Sequence, residues 1–376
     1  MIYLDHHAAT PLSAPVLEAM AHAHVHAWAN PESVHGQGRL ARSARENARG
    51  QVARAIGAKP VDVVLAGTGT EALNLAILGL GRARGKPAGY LLTTRIEHPA
   101  VTASVAQLAR EGLPTRWLEV HEGVAFSPEQ LREALTAETA LVAIQWVNHE
   151  TGTILPVAAY AEVCRELAVP LVVDASQAFG KLPLDVVALG ASAVVVASAK
   201  VGGPSGVSAL WHERCTELAP VMHGGAQERG FRPGTPDVPT LAGFGAAAAR
   251  LGDRLADMPR LSELRDRIEQ AACALGARVN GGAGERVATV SNLSFPGWRG
   301  DVLVAALDVE GLCVSAGAAC SSGLGAPSPV LLAMHPAEPW RAESAIRVSL
   351  GPETSQDEVA TAIQLLRKVV GRVART

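Results

Sequence analysis

At 376 residues the chain exceeds the size at which one hydrophobic core keeps growing, so two lobes are expected, or one large domain with a smaller companion. Hydrophobic residues at 48% against charged residues at 18% exclude a disordered chain, and aromatics at only 4% require a core packed with Ala, Val and Leu. The 33 basic and 36 acidic residues give a net charge of -3 without any Lys/Arg run, which argues against nucleic acid and anionic membranes as partners and leaves a small-molecule substrate as the default.

The start, Met1-Ile2-Tyr3-Leu4-Asp5, lacks the basic and apolar regions of an export signal, and no apolar segment is long enough to span a bilayer. The cytoplasm is the expected compartment. Apolar runs then alternate with stretches of helical period, the pattern of an α/β fold with a mainly parallel sheet covered by helices on both faces. The spacing predicts strands at Val61–Leu65, Gly89–Thr93, Leu141–Trp146, Leu171–Val173, Ala193–Ala197 and Val207–Trp211. Helices are predicted at Glu71–Leu80, Val101–Arg110 and Val157–Leu167.

Leu241–Met258 followed by Leu261–Leu275 reads as a long helix or helix pair leading out of this sheet. A smaller α+β lobe follows, with strands at Thr289–Phe295 and Ala345–Ser349, helices at Asp301–Leu307 and Ser355–Val369, and a Gly/Ser/Pro-rich loop from Ser315 to Pro329. The cysteines, Cys164, Cys215, Cys273, Cys313 and Cys320, are scattered without CxxC spacing, which argues against a disulfide framework and against a metal site. Four of them are expected to be small packing residues; Cys320, among small residues in the loop, is set apart as accessible.

Ligands of open α/β sheets collect beyond the carboxyl ends of strands, so polar residues directly after apolar runs are the first candidates. Gly67-Thr68-Gly69-Thr70-Glu71 is a glycine-rich turn leading into a helix, able to offer backbone N–H groups and a hydroxyl to a phosphate. It lacks the Walker lysine and the full GxGxxG spacing, so a tight turn with Thr70 as helix cap is an equal reading. Asp174, after Leu171-Val172-Val173, can hold a pyridinium nitrogen protonated, although taken alone a helix cap is its plainer role. Lys200 ends Val194-Val195-Val196-Ala197-Ser198-Ala199 before a Gly-Gly-Pro turn. Most such lysines point into water, but one held against a partly buried site can form a Schiff base. A phosphate turn, an Asp and a Lys, each at a strand end, are together what pyridoxal 5'-phosphate requires.

With these residues in view, the chain resembles the cysteine desulfurase family, in the class V aminotransferase group of fold-type I pyridoxal-phosphate enzymes. The resemblance runs through Tyr3-Leu4-Asp5-His6-His7-Ala8-Ala9-Thr10-Pro11, Asn30-Pro31-Glu32-Ser33, Glu97-His98-Pro99-Ala100, Asp174-Ala175-Ser176-Gln177, Arg232-Pro233-Gly234-Thr235, Ser315-Ala316-Gly317-Ala318-Ala319-Cys320 and Ile346-Arg347-Val348-Ser349. It implies an N-terminal segment over 1–14 packing with the small domain, a large cofactor-binding domain over 15–250 and a small C-terminal domain over 251–376 carrying the catalytic-cysteine loop.

By position, the resemblance makes Lys200 the imine-forming lysine and base, Asp174 the ring-nitrogen partner and His98 the imidazole stacked on the ring. Gln177 would bond the ring oxygen, while Gly69, Thr70 and Ser198 would hold the phosphate. Thr235 would reach the cofactor of a partner subunit in a homodimer. Arg347 would bind the substrate carboxylate, with Asn148 and His149 beside it, and Cys320 would receive sulfur from L-cysteine as a persulfide for a protein acceptor, as in iron–sulfur cluster assembly. The chain departs from the family pattern at Ala197 and Ala199, where phosphate ligands are usual, and at His149 and His6, where Asn is usual. Competing expectations are selenocysteine lysis or another class V reaction, and a catalytically weakened sulfur carrier or regulatory relative.

Overall fold

The computed structural model describes residues 1–84, 89–120, 126–317 and 326–373. Along the chain its strands are β1 (Ile2–Tyr3), β2 (Val63–Ala66), β3 (Tyr90–Thr94), β4 (Thr115–Leu118), β5 (Thr139–Gln145), β6 (Leu171–Asp174), β7 (Ala193–Ala197), β8 (Ser208–His212), β9 (Arg278–Asn280), β10 (Val290–Ser294), β11 (Leu312–Cys313) and β12 (Ala345–Ser349). Seven of them form one sheet in the order β2-β8-β7-β6-β5-β3-β4. All neighbours pair in parallel except β8, which is antiparallel to both β7 and β2. Because β8 alone is reversed, the other six strands all end at the same edge.

The runs feeding these strands are apolar at nearly every position because both faces are covered. Strict alternation sends Val64, Leu91, Leu141 and Leu210 to one face, against Ile77 and Leu80 of the helix Gly69–Arg84. Val63, Leu92, Val142 and Trp211 go to the other, against Val52 and Ile56 at the end of the helix Gly36–Ala55. Burying each such side chain contributes about 1.5–3 kcal/mol before its ordering cost.

A second core is built on the antiparallel sheet β12-β10-β9. Leu293, Ile346 and Val348 of this sheet pack with Leu261, Leu264 and Ile268 of the helix Met258–Cys273. The N-terminal segment belongs to this core: β1 pairs in parallel with β11, Leu4 is buried in the cluster, and the Leu4 carbonyl accepts from the Ser349 amide at 2.7 Å. Among the described residues, no helix is long and apolar enough to cross a membrane.

The structure corrects several expectations. The stretch read as a long helix or helix pair is three pieces, Val238–Ala248, Leu251–Ala256 and Met258–Cys273, the last opening with Pro259, which has no N–H to continue the piece before it. Cys215 and Cys273 are exposed rather than packed, and Cys313 is half-buried. Cys164 is buried, and burial pushes its thiol up to about 12.

One buried ion pair fastens the loop next to the phosphate turn. Arg49 donates through Nη1 and Nη2 to Glu228 Oε2 and Oε1 at 2.6 and 2.7 Å, and Glu228 Oε2 also accepts from the Leu65 amide of β2. The pair holds Glu228 and Arg229 at φ of 48° and 60°, the left-handed region that non-glycine residues seldom occupy. Replacing Glu228 by Ala removes two of the charge-assisted bonds to Arg49 and the acceptor of the Leu65 amide, leaving Glu46, which accepts from Arg49 Nε at 2.8 Å, as its remaining carboxylate. Chemical denaturation of Glu228→Ala is expected to give a loss of about 1.5–3 kcal/mol; a loss below about 1 kcal/mol would mean the pair is dispensable.

Candidate active site

The shared edge of the sheet opens into a cavity of about 320 Å³. Five of these strands, all but β4, deliver polar residues to it. Lys200 lies in the turn Ser198–Val201 after β7. That turn needs its glycines: Gly202 has φ 71°, and a side chain on Gly203 would sit 2.1 Å from Ser198 Oγ. Lys200 Nζ donates to the carbonyls of His7 and Ala8 at 2.9 and 2.7 Å.

Asp174 closes β6, and its Oδ1 accepts from the Ser176 amide at 2.9 Å. His98 follows β3 and caps the helix Pro99–Arg110, Nδ1 accepting from the Ala100 amide at 3.1 Å, so the cap sets the ring's orientation. Gln177 donates from Nε2 to the His7 carbonyl at 2.9 Å, and its Oε1 accepts from Lys181 Nζ at 2.9 Å. Arg347 reaches the cavity from β12 of the second sheet, donating from Nη1 to the His149 carbonyl and from Nη2 to Asp5 Oδ1, both at 2.9 Å.

The electrostatics favour neutral imidazoles beside two cations. Burial, helped by the Lys200 charge, lowers His98 below its ordinary value, against the opposing pull of Asp174. Burial also holds His149 well down, with His98, Arg347 and Lys200 acting in the same sense. Lys181, buried near Arg254, Lys200 and Arg347, is likewise pushed well below the usual lysine range. Behind His98, Glu97 is raised to about 8 by burial and by Asp174, although it accepts from Thr94 Oγ and the Gln145 amide at 2.6 and 2.7 Å.

Of the residues singled out in the sequence, Lys200, Asp174, Gln177, His98, His149, Arg347, Gly69 and Thr70 line this one cavity. Ser198 does not: its buried Oγ is turned toward Gly203. Asn148 does not either, because its amide is spent on the turn after β5, accepting from the amides of Glu150 and Thr151 and donating to the Ile96 carbonyl. Thr235 lines a neighbouring cavity that shares Gly206 and Val207 with the first. Cys320 lies outside the described residues. Sequence reasoning missed Ser176 and Ser205, which line the cavity with Ala197 and Ala199. Ser176 carried a signal, standing two residues past a strand-end Asp; Ser205, after Gly-Gly-Pro, carried none.

These residues fit pyridoxal phosphate. At the start of the helix Gly69–Arg84, a side chain on Gly69 would project to 3.5 Å from Ala197 Cβ and 3.7 Å from Ser176 Oγ, filling the space where a phosphate can meet helix N–H groups. Thr68, Thr70, Ser176 and Ser205 line the same cavity and bring hydroxyls that could serve such a phosphate, whereas Ala197 and Ala199 bring only methyl groups. An amine (Lys200) and a carboxylate (Asp174) stand in the same cavity for the aldehyde and the ring nitrogen.

Comparison with known proteins agrees with this geometry. The model of the family described as aminotransferase class-V matches residues 2–361. An IscS-like cysteine desulfurase of Mycobacterium tuberculosis is 40% identical over 385 residues, covering 100% of this chain and 98% of that protein. A cysteine desulfurase IscS of Anaeromyxobacter dehalogenans is 38% identical, with 99% and 93% covered. Among solved structures, a NifS-like protein superposes with a TM-score of 0.91 at 28% identity over 100% of both chains. SspA in complex with cysteine gives 0.81 at 30% identity, covering 94% of this chain and 100% of that one.

The raised Glu97 carboxyl has a consequence for stability. A folded chain that keeps a proton the unfolded chain has released is most stable below pH 4.5 and loses that contribution as the pH climbs through about 8. The difference in stability between the native protein and Glu97→Gln, measured by urea denaturation at about pH 5 and about pH 9, is expected to move against the native protein by on the order of a few kcal/mol. An unchanged difference would place Glu97 in the ordinary carboxylate range.

Proposed function

The chain belongs to the aminotransferase class-V family, and from that membership and the geometry of its cavity we propose a pyridoxal-phosphate-dependent cysteine desulfurase: L-cysteine plus the thiol of Cys320 gives L-alanine plus a persulfide on Cys320. The observation that carries the proposal is the convergence of Lys200, Asp174, His98 and Arg347 on one cavity, from three ends of one sheet and from a strand of the other.

Pyridoxal phosphate, when bound, supplies an aldehyde for amine capture and a ring that takes up the electron pair of a deprotonated α-carbon. Lys200 would hold the aldehyde and, as a free amine, would accept the proton of the substrate α-carbon. Asp174 keeps the ring nitrogen protonated, which is what makes the ring an electron sink. Gln177, its amide held by Lys181 and the His7 carbonyl, would hydrogen-bond the ring oxygen. Gly69 and Thr70, with Ser176 and Ser205, hold the phosphate. His98 forms one wall and moves protons as a neutral imidazole. Arg347 receives the substrate carboxylate, since its planar guanidinium can offer two parallel hydrogen bonds.

The Cys320 thiolate attacks the substrate sulfur, the S–S bond forms as the C–S bond breaks, and the proton lost from the thiol balances the hydrogen gained by the methyl group of alanine. A protein acceptor then takes the persulfide sulfur. We assign the active form to a homodimer in which Thr235 reaches the partner's site. The Thr235 cavity, which borders the main one through Gly206 and Val207, supports this, as do the exposed apolar side chains of Leu17, Val25 and Trp28. A reducing compartment such as the cytoplasm suits a reactive thiol and its persulfide.

The test mixes purified protein with cysteine and follows alanine and sulfide. Lys200→Ala and Cys320→Ala are both expected to lose product by about 10²-fold or more, and only Lys200→Ala loses the imine-bound cofactor colour. Alanine formation by Cys320→Ala at the native rate would rule out the persulfide route. Arg347→Lys keeps the charge but loses the fork, and is expected to lower kcat/KM for cysteine about ten- to a hundredfold, in line with about 1.5–3 kcal/mol for a charge-assisted hydrogen bond, with the cofactor still bound.

A further inference from the structure

Beyond Lys200 and His98, a second proton-handling group lies in the cavity wall. His149 faces His98 edge-on, with ring centroids 5.3 Å apart, and its Nδ1 lies 3.4 Å from Gln145 Oε1. Gln145 Nε2 is committed to the Ile96 carbonyl at 2.6 Å, so the end of the amide that meets His149 is the oxygen, which can only accept. Nδ1 of His149 therefore carries the hydrogen. In a neutral ring Nε2 is then a bare lone pair, and it lies 3.8 Å from Glu150 Oε1, a small shift outside hydrogen-bond range.

Glu150 is fully buried. Its Oε2 accepts from Ser328 Oγ at 2.6 Å, and that hydroxyl in turn accepts from the Leu331 amide, which fixes the direction of the bond. Its Oε1 has no hydrogen-bond partner among the described residues. A single proton on Oε1 would turn that unpartnered oxygen into a donor toward the imidazole Nε2.

We propose that His149 and Glu150 hold one proton between imidazole Nε2 and carboxyl Oε1, and that the pair exchanges it with the reacting site through His149. The proposal deepens the desulfurase reading and rests on it for the reaction served. That reaction must move one proton from the thiol that becomes a persulfide to the carbon that loses sulfur. The pair stands between the cavity and Ser328, and Gly317 is close enough that a side chain there would come within 3.7 Å of Glu150 Oε2. Amide-bearing Asn at position 149 could not hold such a proton. The charged and titratable groups facing the pair are His98 and Lys200 toward the imidazole, and Arg347 toward both members. Asp174 acts on His98 behind them. Burial pushes the Glu150 carboxyl up, toward the protonated form, with Ser328 and Arg347 opposing it.

Glu150→Gln is the discriminating variant. Its amide can still donate to His149 Nε2 and accept from Ser328, so the packing survives, but it cannot release a proton. Native-minus-Glu150→Gln difference infrared spectra of the holoenzymes without substrate, in which the band of the protonated Glu97 cancels, are expected to contain the carbonyl band of a second buried carboxylic acid, shifted in His149→Asn. In turnover, Glu150→Gln is expected to lower kcat about ten- to a hundredfold, to remove one limb of the pH–kcat profile, and to leave cofactor absorbance and KM for cysteine within about twofold. A native-minus-Glu150→Gln difference spectrum without the acid band, or a Glu150→Gln enzyme with the native pH profile, overturns the proposal. If Glu150→Gln fails to fold, the same band and profile are read in His149→Asn. Failure of the native protein to make alanine would instead count against the desulfurase reading, while the infrared result would still decide whether the pair holds a proton.

Discussion

Lys200, Gln177 and Arg347 are registered against one another by residues 2 to 8. This short segment is anchored in the second core through β1, Leu4 and Ser349, then crosses to the edge of the large sheet. There Asp5 takes one arm of Arg347, and the carbonyls of His7 and Ala8 accept from Lys200 and Gln177. Lys200 and Arg347 come from different sheets and share no strand, so their mutual placement depends on this bridge. Backbone carbonyls suit the task because their direction is fixed once the segment is paired at its other end.

The sheet supplies the remaining order. Five strands ending at one edge put turn residues of unlike chemistry side by side, and the single reversed strand β8 brings Gly206 and Val207 to the same place from the opposite direction. Lysine, carboxylate and imidazole can then be adjusted independently, each by its own turn. His98 is oriented by capping a helix, Lys200 by a left-handed glycine turn and Asp174 by the amide two residues on.

Much of this was legible in the sequence because it is local. Strands β5, β6, β7 and β8 announced themselves as apolar runs, and Asp174 and Lys200 stood out as polar residues at their ends. What could not be read depends on side-chain direction. Ser198 was a plausible phosphate ligand until the turn pointed its hydroxyl at Gly203, and Asn148 was consumed by its own turn. The helices Ala14–His26 and Gly36–Ala55 escaped because they bury mainly small residues such as Ala23, Ala41 and Ala48, too weak a stripe to stand out from an alanine-rich background. The break in the alanine-rich run after Leu241 was hidden for the same reason. The exposure of Cys215 and Cys273 belongs to the three-dimensional surface and has no counterpart in spacing.

The contact between Asp5 and Arg347 changes how an incoming carboxylate is received. A guanidinium only 2% exposed would otherwise stand as an uncompensated charge in the interior. If Arg347 takes the substrate carboxylate as proposed, arrival trades one anionic partner for another on the same fork. Affinity is then set by the difference between the two pairings, so weak saturation by cysteine would reflect competition from within the chain. The displaced Asp5 would, in turn, carry news of occupancy down the N-terminal strand into the second core.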